Sequence, residues 1–256
     1  MTGDLFGLLT RIRLPGAEMD LQRAAQQQHL FPIVGAVVGL AAALTAILLN
    51  EFLTASYAMV SAGILLVVLY YLTGIIHTEG LADFADGLMA SGTSERKREA
   101  MKDVHSGVAA VIGVTLYLIL FFAAATRVSA HAQDLLTPFP LLWAVPAAIG
   151  LVLSEMAGKL AMNVTMFLGP SSHSGMGTLF VSEATASKLV LACAIAGVIG
   201  FVVAGYLAII VYLGLLAGLA VTVKARGNFG GVSGDVFGAA NEVGRLLTLV
   251  VWVLFI

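Results

Sequence analysis

Three carboxylates fall within the stretch 77–86: Glu79, Asp83 and Asp86, at i, i+4 and i+7. At about 3.6 residues per turn, a helix would carry all three on one stripe. Like charges on one helical face repel, so the arrangement calls for a cation. Such oxygen donors suit Mg²⁺, which takes one or two protein carboxylates and completes its shell with water and phosphate oxygens. Asp83-Phe-Ala-Asp86-Gly87 forms a D-x-x-D-G element, and Asp103 follows in Met101-Lys102-Asp103. A solvated helix neutralised by Arg96, Lys97 and Arg98 would account for any one of these acids. Together, at the edge of an apolar run, they read better as a metal–phosphate site, because charge beside hydrocarbon is costly. His77, two residues ahead of Glu79, can orient a carboxylate or touch substrate.

A second polar cluster lies near the C-terminus, in Gly227-Asn-Phe-Gly-Gly-Val-Ser-Gly-Asp235 and on through Gly238-Ala-Ala-Asn241-Glu242. The backbone N–H groups of a glycine-rich turn ahead of a helix can receive a phosphate. Glycines alone equally serve tight helix packing, the role expected for Gly35/Gly39 and Gly214/Gly218. Asp235 and Glu242, at i and i+7, raise the segment above packing, and a site shared with the first cluster is expected. The loop 170–177 either covers a substrate or simply connects two helices. Glu155 and Lys159, four residues apart, are expected to form a structural ion pair. His29, His131 and the methionines read as structural. No nucleophile–base triad, CxxC knuckle or Walker loop is present.

Elements that could position these residues follow from composition. Of 256 residues, 59% are hydrophobic and only 11% charged, with a mean hydropathy of +0.98. A soluble domain is about 25% charged. Apolar runs near the roughly 20 residues of a bilayer crossing recur. An all-α polytopic membrane protein follows, a single transmembrane catalytic domain over 1–256 with about seven helices. The spans fall near 30–49, 57–76, 107–126, 139–159, 188–204, 206–223 and 239–256, with a helical hairpin turning near Gly205. Cys193 sits in an apolar run as a small core residue. Residues 5–14 are too short and too basic for a secretory leader, and an interfacial start is expected.

Seven crossings put twelve of the thirteen lysines and arginines on one side, with Arg127 opposite. By the positive-inside rule that side is cytoplasmic. It carries the N-terminus and the long polar loops, so the chemistry is expected at the cytoplasmic face of the cell membrane. The net charge of −2 carries no message about nucleic acid.

The motifs taken together resemble the cobalamin-5′-phosphate synthase (adenosylcobinamide-GDP ribazoletransferase) family. The matching pieces are Leu9-Thr10-Arg11-Ile12-Arg13-Leu14-Pro15, Phe31-Pro32-Ile33-Val34-Gly35, His77 through Gly87, Met101-Lys102-Asp103, and Gly230 through Glu242. Glu79 stands where the family usually has Asp. Val104-His105 replaces its common Ser-Arg, and Ser154-Glu155 departs from its Ser-Arg or Ser-Lys. The resemblance implies a Mg²⁺-dependent transfer joining adenosylcobinamide-GDP to α-ribazole 5′-phosphate, or α-ribazole, with release of GMP. It further implies Glu79, Asp83, Asp86 and Asp103 as metal ligands, with Asp83, Asp86 and Asp103 also catalytic. Substrate contacts are expected from His77, Arg11, Arg98, Lys102, Gly231, Ser233, Asp235, Asn241 and Glu242. A CDP-alcohol phosphotransferase shares D-x-x-D-G, but Gly87 is followed by Leu88-Met89-Ala90-Ser91 with no arginine after the alanine. A secondary transporter would carry coupling residues near mid-membrane in repeated halves, and no repeat is visible. Oligomeric state is left open.

Overall fold

Without water, only a backbone that satisfies its own hydrogen bonds can cross hydrocarbon, and the apolar runs of this chain are accordingly helical. The computed structural model describes residues 3–12, 19–53, 55–136 and 145–256. Helices α1 (Gly3–Leu9) and α2 (Leu21–Gln26) precede α3 (Phe31–Leu53) and α4 (Ala58–Thr73). Next come α5 (Ile76–Met89), with the first acidic cluster, α6 (Ser94–Met101), with the basic run, and α7 (Val108–Ala130). Strands β1 (Leu135–Leu136) and β2 (Val145–Pro146) pair antiparallel, Leu135 opposite Pro146. Helices α8 (Ile149–Leu168), α9 (Met176–Ser182), α10 (Ala186–Ala204), α11 (Leu213–Phe229) and α12 (Gly234–Trp252) complete the chain.

Helix α8 is the axis of the molecule. Every residue from Gly150 to Met166 is buried, and α3, α10, α11 and α12 pack around it. Lipid tails are as apolar as leucine, so close backbone approach rather than hydrophobic expulsion must hold this assembly together. The small residues supply it. A Cβ on Gly35 would lie 2.6 Å from the Glu155 carbonyl oxygen, and one on Gly218 2.6 Å from that of Ala161. The packing role expected of Gly35/Gly39 and Gly214/Gly218 is therefore met against α8. Outward-facing side chains such as Leu40, Leu44 and Leu48 on α3 and Ile112, Leu116 and Ile119 on α7 form an exposed apolar belt, as lipid contact requires.

Two expectations about the spans change. Among the described residues, six helical stretches are long and apolar enough to cross a membrane, the fifth combining the two spans expected on either side of Gly205. The fifth, Ala186–Phe229, runs 44 residues but turns back at Gly205, whose φ of +58° favours glycine. The returning 3₁₀ segment lies along α10, with the Tyr212 hydroxyl donating to the Cys193 carbonyl at 3.0 Å. The fourth span, expected at 139–159, is displaced to Ile149–Leu168. Its expected beginning, with Pro138 and Pro140, lies outside the described residues, as do Arg13, Leu14 and Pro15. The last helix starts at Gly234 rather than 239, because Ser233 at its N-cap adopts an extended backbone.

Candidate active site

Two glycines bring the acidic clusters together. Helix α5 is separated from α4 by Gly74, at φ +68°, and is too short and polar to span a bilayer. It crosses α12 in backbone contact. A Cβ on Gly80 would meet the Asp235 carbonyl oxygen at 2.7 Å, and one on Gly238 the His77 carbonyl oxygen at 3.0 Å. Because α5 and α12 touch at these points, the Glu79–Asp83 face of α5 is set beside Asp235. The approach to Asp235 is fixed locally. Gly230 ends α11 in the left-handed region. Val232 N–H then donates to the Pro170 carbonyl at 2.7 Å, and Ser172 N–H to that of Val232 at 2.9 Å. Buried Gly231 leaves no room for a side chain against this bridge. Ser233 Oγ donates to Asp235 Oδ2 at 3.2 Å.

The four acids expected to share a metal are divided by the structure. Glu79 and Asp83 face Asp235, and among the described residues neither side chain has a hydrogen-bond or ion-pair partner. Partial burial pushes the Asp83 carboxyl up to about 6, reinforced by the charges of Asp235, Glu79 and Asp86 in that order. Asp86 instead caps α7. Its Oδ2 accepts from Gly107 N–H at 2.7 Å and its Oδ1 from Ala110 N–H at 2.8 Å, serving a helix whose own N-cap residue, a glycine, has no side chain. Asp103 is exposed and accepts from the backbone N–H of His105 at 2.9 Å, with the His105 ring 3.0 Å away. These contacts hold its carboxyl below the usual range. Among the described residues, no three His, Cys, Asp or Glu side chains converge closely enough to hold an ion. Among the described residues these partly buried, mutually repelling carboxylates form no ion pair, and they fit Mg²⁺, since phosphate oxygens and water complete its shell.

Two hollows meet at these acids. One, of about 310 Å³, is walled by Phe31, Met162, Met166, Met176 and Phe180 and reaches His77. The other is an open cleft of about 840 Å³ bordered by Thr78, Lys102, Asp103, Val104 and Ser106 and by Ala110, Val111, Val114 and Thr115 of α7. Glu79, Asp83 and Asp235 line both. Lys102 is exposed at the cleft, and among the described residues its ammonium has no ion-pair or hydrogen-bond partner. Arg98 lies nearby but is committed, its Nη1 donating to the Phe229 carbonyl at 2.7 Å and its Nη2 to Glu95 at 3.1 Å. Arg11 is exposed beside Gly74 and borders neither hollow. Where the 170–177 loop enters α9, Met176 and Gly177 wall the smaller hollow.

Asn241 and Glu242, expected at substrate, lie instead in a buried polar network between α8 and α12. Asn241 Oδ1 accepts from Lys159 Nζ at 2.6 Å. Arg245 pairs with Glu242 at 2.5 Å and with Glu155 at 3.1 Å, and also donates to the Tyr117 hydroxyl. The expected Glu155–Lys159 pair does not form, because Glu155 turns to the guanidinium of Arg245. Lys159 and Arg245 are thus interior groups rather than markers of a membrane side. Two acids and two bases balance within the bundle, which lets α8 and α12 carry charge away from lipid. The network reaches the site through Thr78, whose hydroxyl lies 3.5 Å from Glu242 Oε1. His77 is buried against it, and burial, Lys159 and Arg245 hold its imidazole well below the usual range, hence neutral.

Sequence reasoning missed the methionine and phenylalanine wall, because an apolar residue facing a hollow looks the same in one dimension as one facing a neighbour. It also missed Thr78 and Arg245, whose contacts to Glu242 and to Glu155 and Tyr117, respectively, join residues remote in the chain.

A family model described as cobalamin-5-phosphate synthase matches residues 3–253. The chain is 32% identical to the adenosylcobinamide-GDP ribazoletransferase of Thermococcus kodakarensis, over 98% of this chain and 97% of that protein. It is 31% identical to that of Methanocella arvoryzae, over 96% and 94%. Its identity to that of Methanococcoides burtonii is 29%, over 96% and 89%. No solved structure matches.

Proposed function

The chain belongs to the cobalamin-5-phosphate synthase family, and on that premise we propose that it acts as an adenosylcobinamide-GDP ribazoletransferase, the activity named for its relatives. The reaction joins adenosylcobinamide-GDP to α-ribazole 5′-phosphate, or α-ribazole, giving adenosylcobalamin 5′-phosphate, or adenosylcobalamin, and GMP. The observation that carries the reading is the meeting of two hollows at Glu79, Asp83 and Asp235. A two-substrate phosphoryl-type transfer needs two entries converging on charge-handling groups.

A ribose hydroxyl of the acceptor forms a bond to the cobinamide-side phosphorus, and the bond from that phosphorus to the bridging oxygen breaks, so that GMP departs with the oxygen. Asp83, half-buried and unpartnered, takes the hydroxyl proton onto a carboxylate oxygen. Glu79 and Asp235 would hold Mg²⁺ together with diphosphate oxygens, and the ion supplies charge neutralisation there. Lys102 attracts the diphosphate into the cleft. Asp86 and Asp103 act outside this set, the first by fixing α7 and the second at the cleft rim. Arg96, Lys97, Arg98, Lys102, Lys188, Lys224 and Arg226 flank this end of the bundle. That supports an orientation in the cell membrane with the site facing the cytoplasm.

Mass spectrometry of products from purified protein given both substrates tests the reading. We expect adenosylcobalamin phosphate and GMP in equal amounts, dependent on Mg²⁺. Unchanged substrates, or turnover of CDP-diacylglycerol instead, would sink it.

A further inference from the structure

We propose that the smaller hollow is the seat of the acceptor's aromatic base, with the nucleotide end of the donor confined to the open cleft. The inference rests on the ribazoletransferase reading and deepens it. Size separates the substrates first. At about 310 Å³ the hollow is at the small end of ligand pockets, which run roughly 300–1,000 Å³. A corrin macrocycle with its side chains cannot enter, whereas a fused bicyclic heterocycle fits. Chemistry separates them next. The wall is apolar and polarisable, with Phe31 and Phe180 near one another at 6.1 Å between ring centroids, and with Met162, Met166 and Met176 around them. Thioether–aromatic contacts favour a flat ring and give nothing to a diphosphate. The cleft offers Lys102 and is open to solvent.

His77 supplies the second, independent observation. Only 6% of it is exposed, it lines the hollow, and among the described residues its ring has no hydrogen-bond partner. Its ring nitrogens are not among the sealed-off polar atoms of the interior, so an occupant of the hollow can supply them a hydrogen bond. A ring nitrogen of the base would do so, accepting from the His77 N–H. The sugar on such a base would then project toward Glu79, Asp83 and Asp235, the residues common to both hollows, where its hydroxyl must meet phosphorus.

Steady-state kinetics with each substrate varied in turn, on the purified full chain, tests the assignment with α-ribazole as probe. Met176 is 49% exposed, so Met176→Trp narrows the hollow at its rim without loading the packed core. It should raise KM for α-ribazole about tenfold and leave that for adenosylcobinamide-GDP within about twofold. His77→Ala should weaken calorimetric binding of α-ribazole, measured without donor, by about tenfold. Lys102→Ala should do the reverse, raising the donor KM alone. Unchanged α-ribazole binding in His77→Ala, or a Met176→Trp defect confined to the donor, overturns the assignment. Failure of the wild-type protein to make product would instead reject the transferase reading itself, so the two failures are distinguishable.

Discussion

Asp83 joins two requirements that pull in opposite directions. Its folded-state carboxyl titrates near 6, above the ordinary value, because burial and three neighbouring acids disfavour the charge. The folded protein therefore holds this proton more tightly than the unfolded chain does. Lowering pH through about 6 stabilises the fold while removing the carboxylate that the transfer needs. Without divalent cation, the melting temperature should rise as pH falls from 7 to 5, while kcat/KM measured with Mg²⁺ falls over an acidic limb. Asp83→Asn should abolish transfer, by at least about a hundredfold, and flatten that pH dependence of melting. A variant that retained activity, or a wild-type melting temperature falling over the same range, would contradict this account. The acid stripe was legible in sequence, since spacing alone puts Glu79, Asp83 and Asp86 near one face. That Asp86 spends both oxygens on α7 was not, because its partners lie 21 and 24 residues away.

At the level of elements, Asp86 shows how one helix is terminated by a side chain from another. The N-terminus of α7 carries unsatisfied N–H groups and the positive end of the helix dipole. Asp86 meets both. Asp86→Ala should lower stability by about 1 kcal/mol, the typical cost of losing a helix cap, seen as a reduced melting temperature in detergent. Asp86→Asn, which keeps an acceptor oxygen, should recover part of that loss. Equal melting of Asp86→Ala and the wild type would remove the capping role. Helix existence was readable from hydropathy. The position of α8 was not, since it carries Glu155, Lys159 and Asn163 and is sheltered from lipid. A scale tuned to lipid contact places such a helix poorly, and the proline-bearing approach drew its expected start too far upstream.

Across the whole molecule, sidedness separates the site end from the opposite end. With Cys193 replaced by serine, Ser174→Cys in the site-end loop should react with a membrane-impermeant maleimide only from the cytoplasmic side. Gln133→Cys, beyond α7, should react only from the other. Reversed labelling would overturn the proposed orientation. The membrane class, the approximate spans, the turn at Gly205 and the acidic stripe on α5 were determined by the sequence, because composition, period and local spacing are one-dimensional properties. The tertiary structure decided which acids share a face with Asp235, which charges retire into the buried Glu155–Arg245–Glu242 network, and which apolar residues enclose a hollow rather than a contact. Each depends on how α5, α8 and α12 cross: backbone approach at Gly80 and Gly238 sets α5 on α12, and approach at Gly158 and Gly244 sets α8 on α12, with partners that no local pattern reveals.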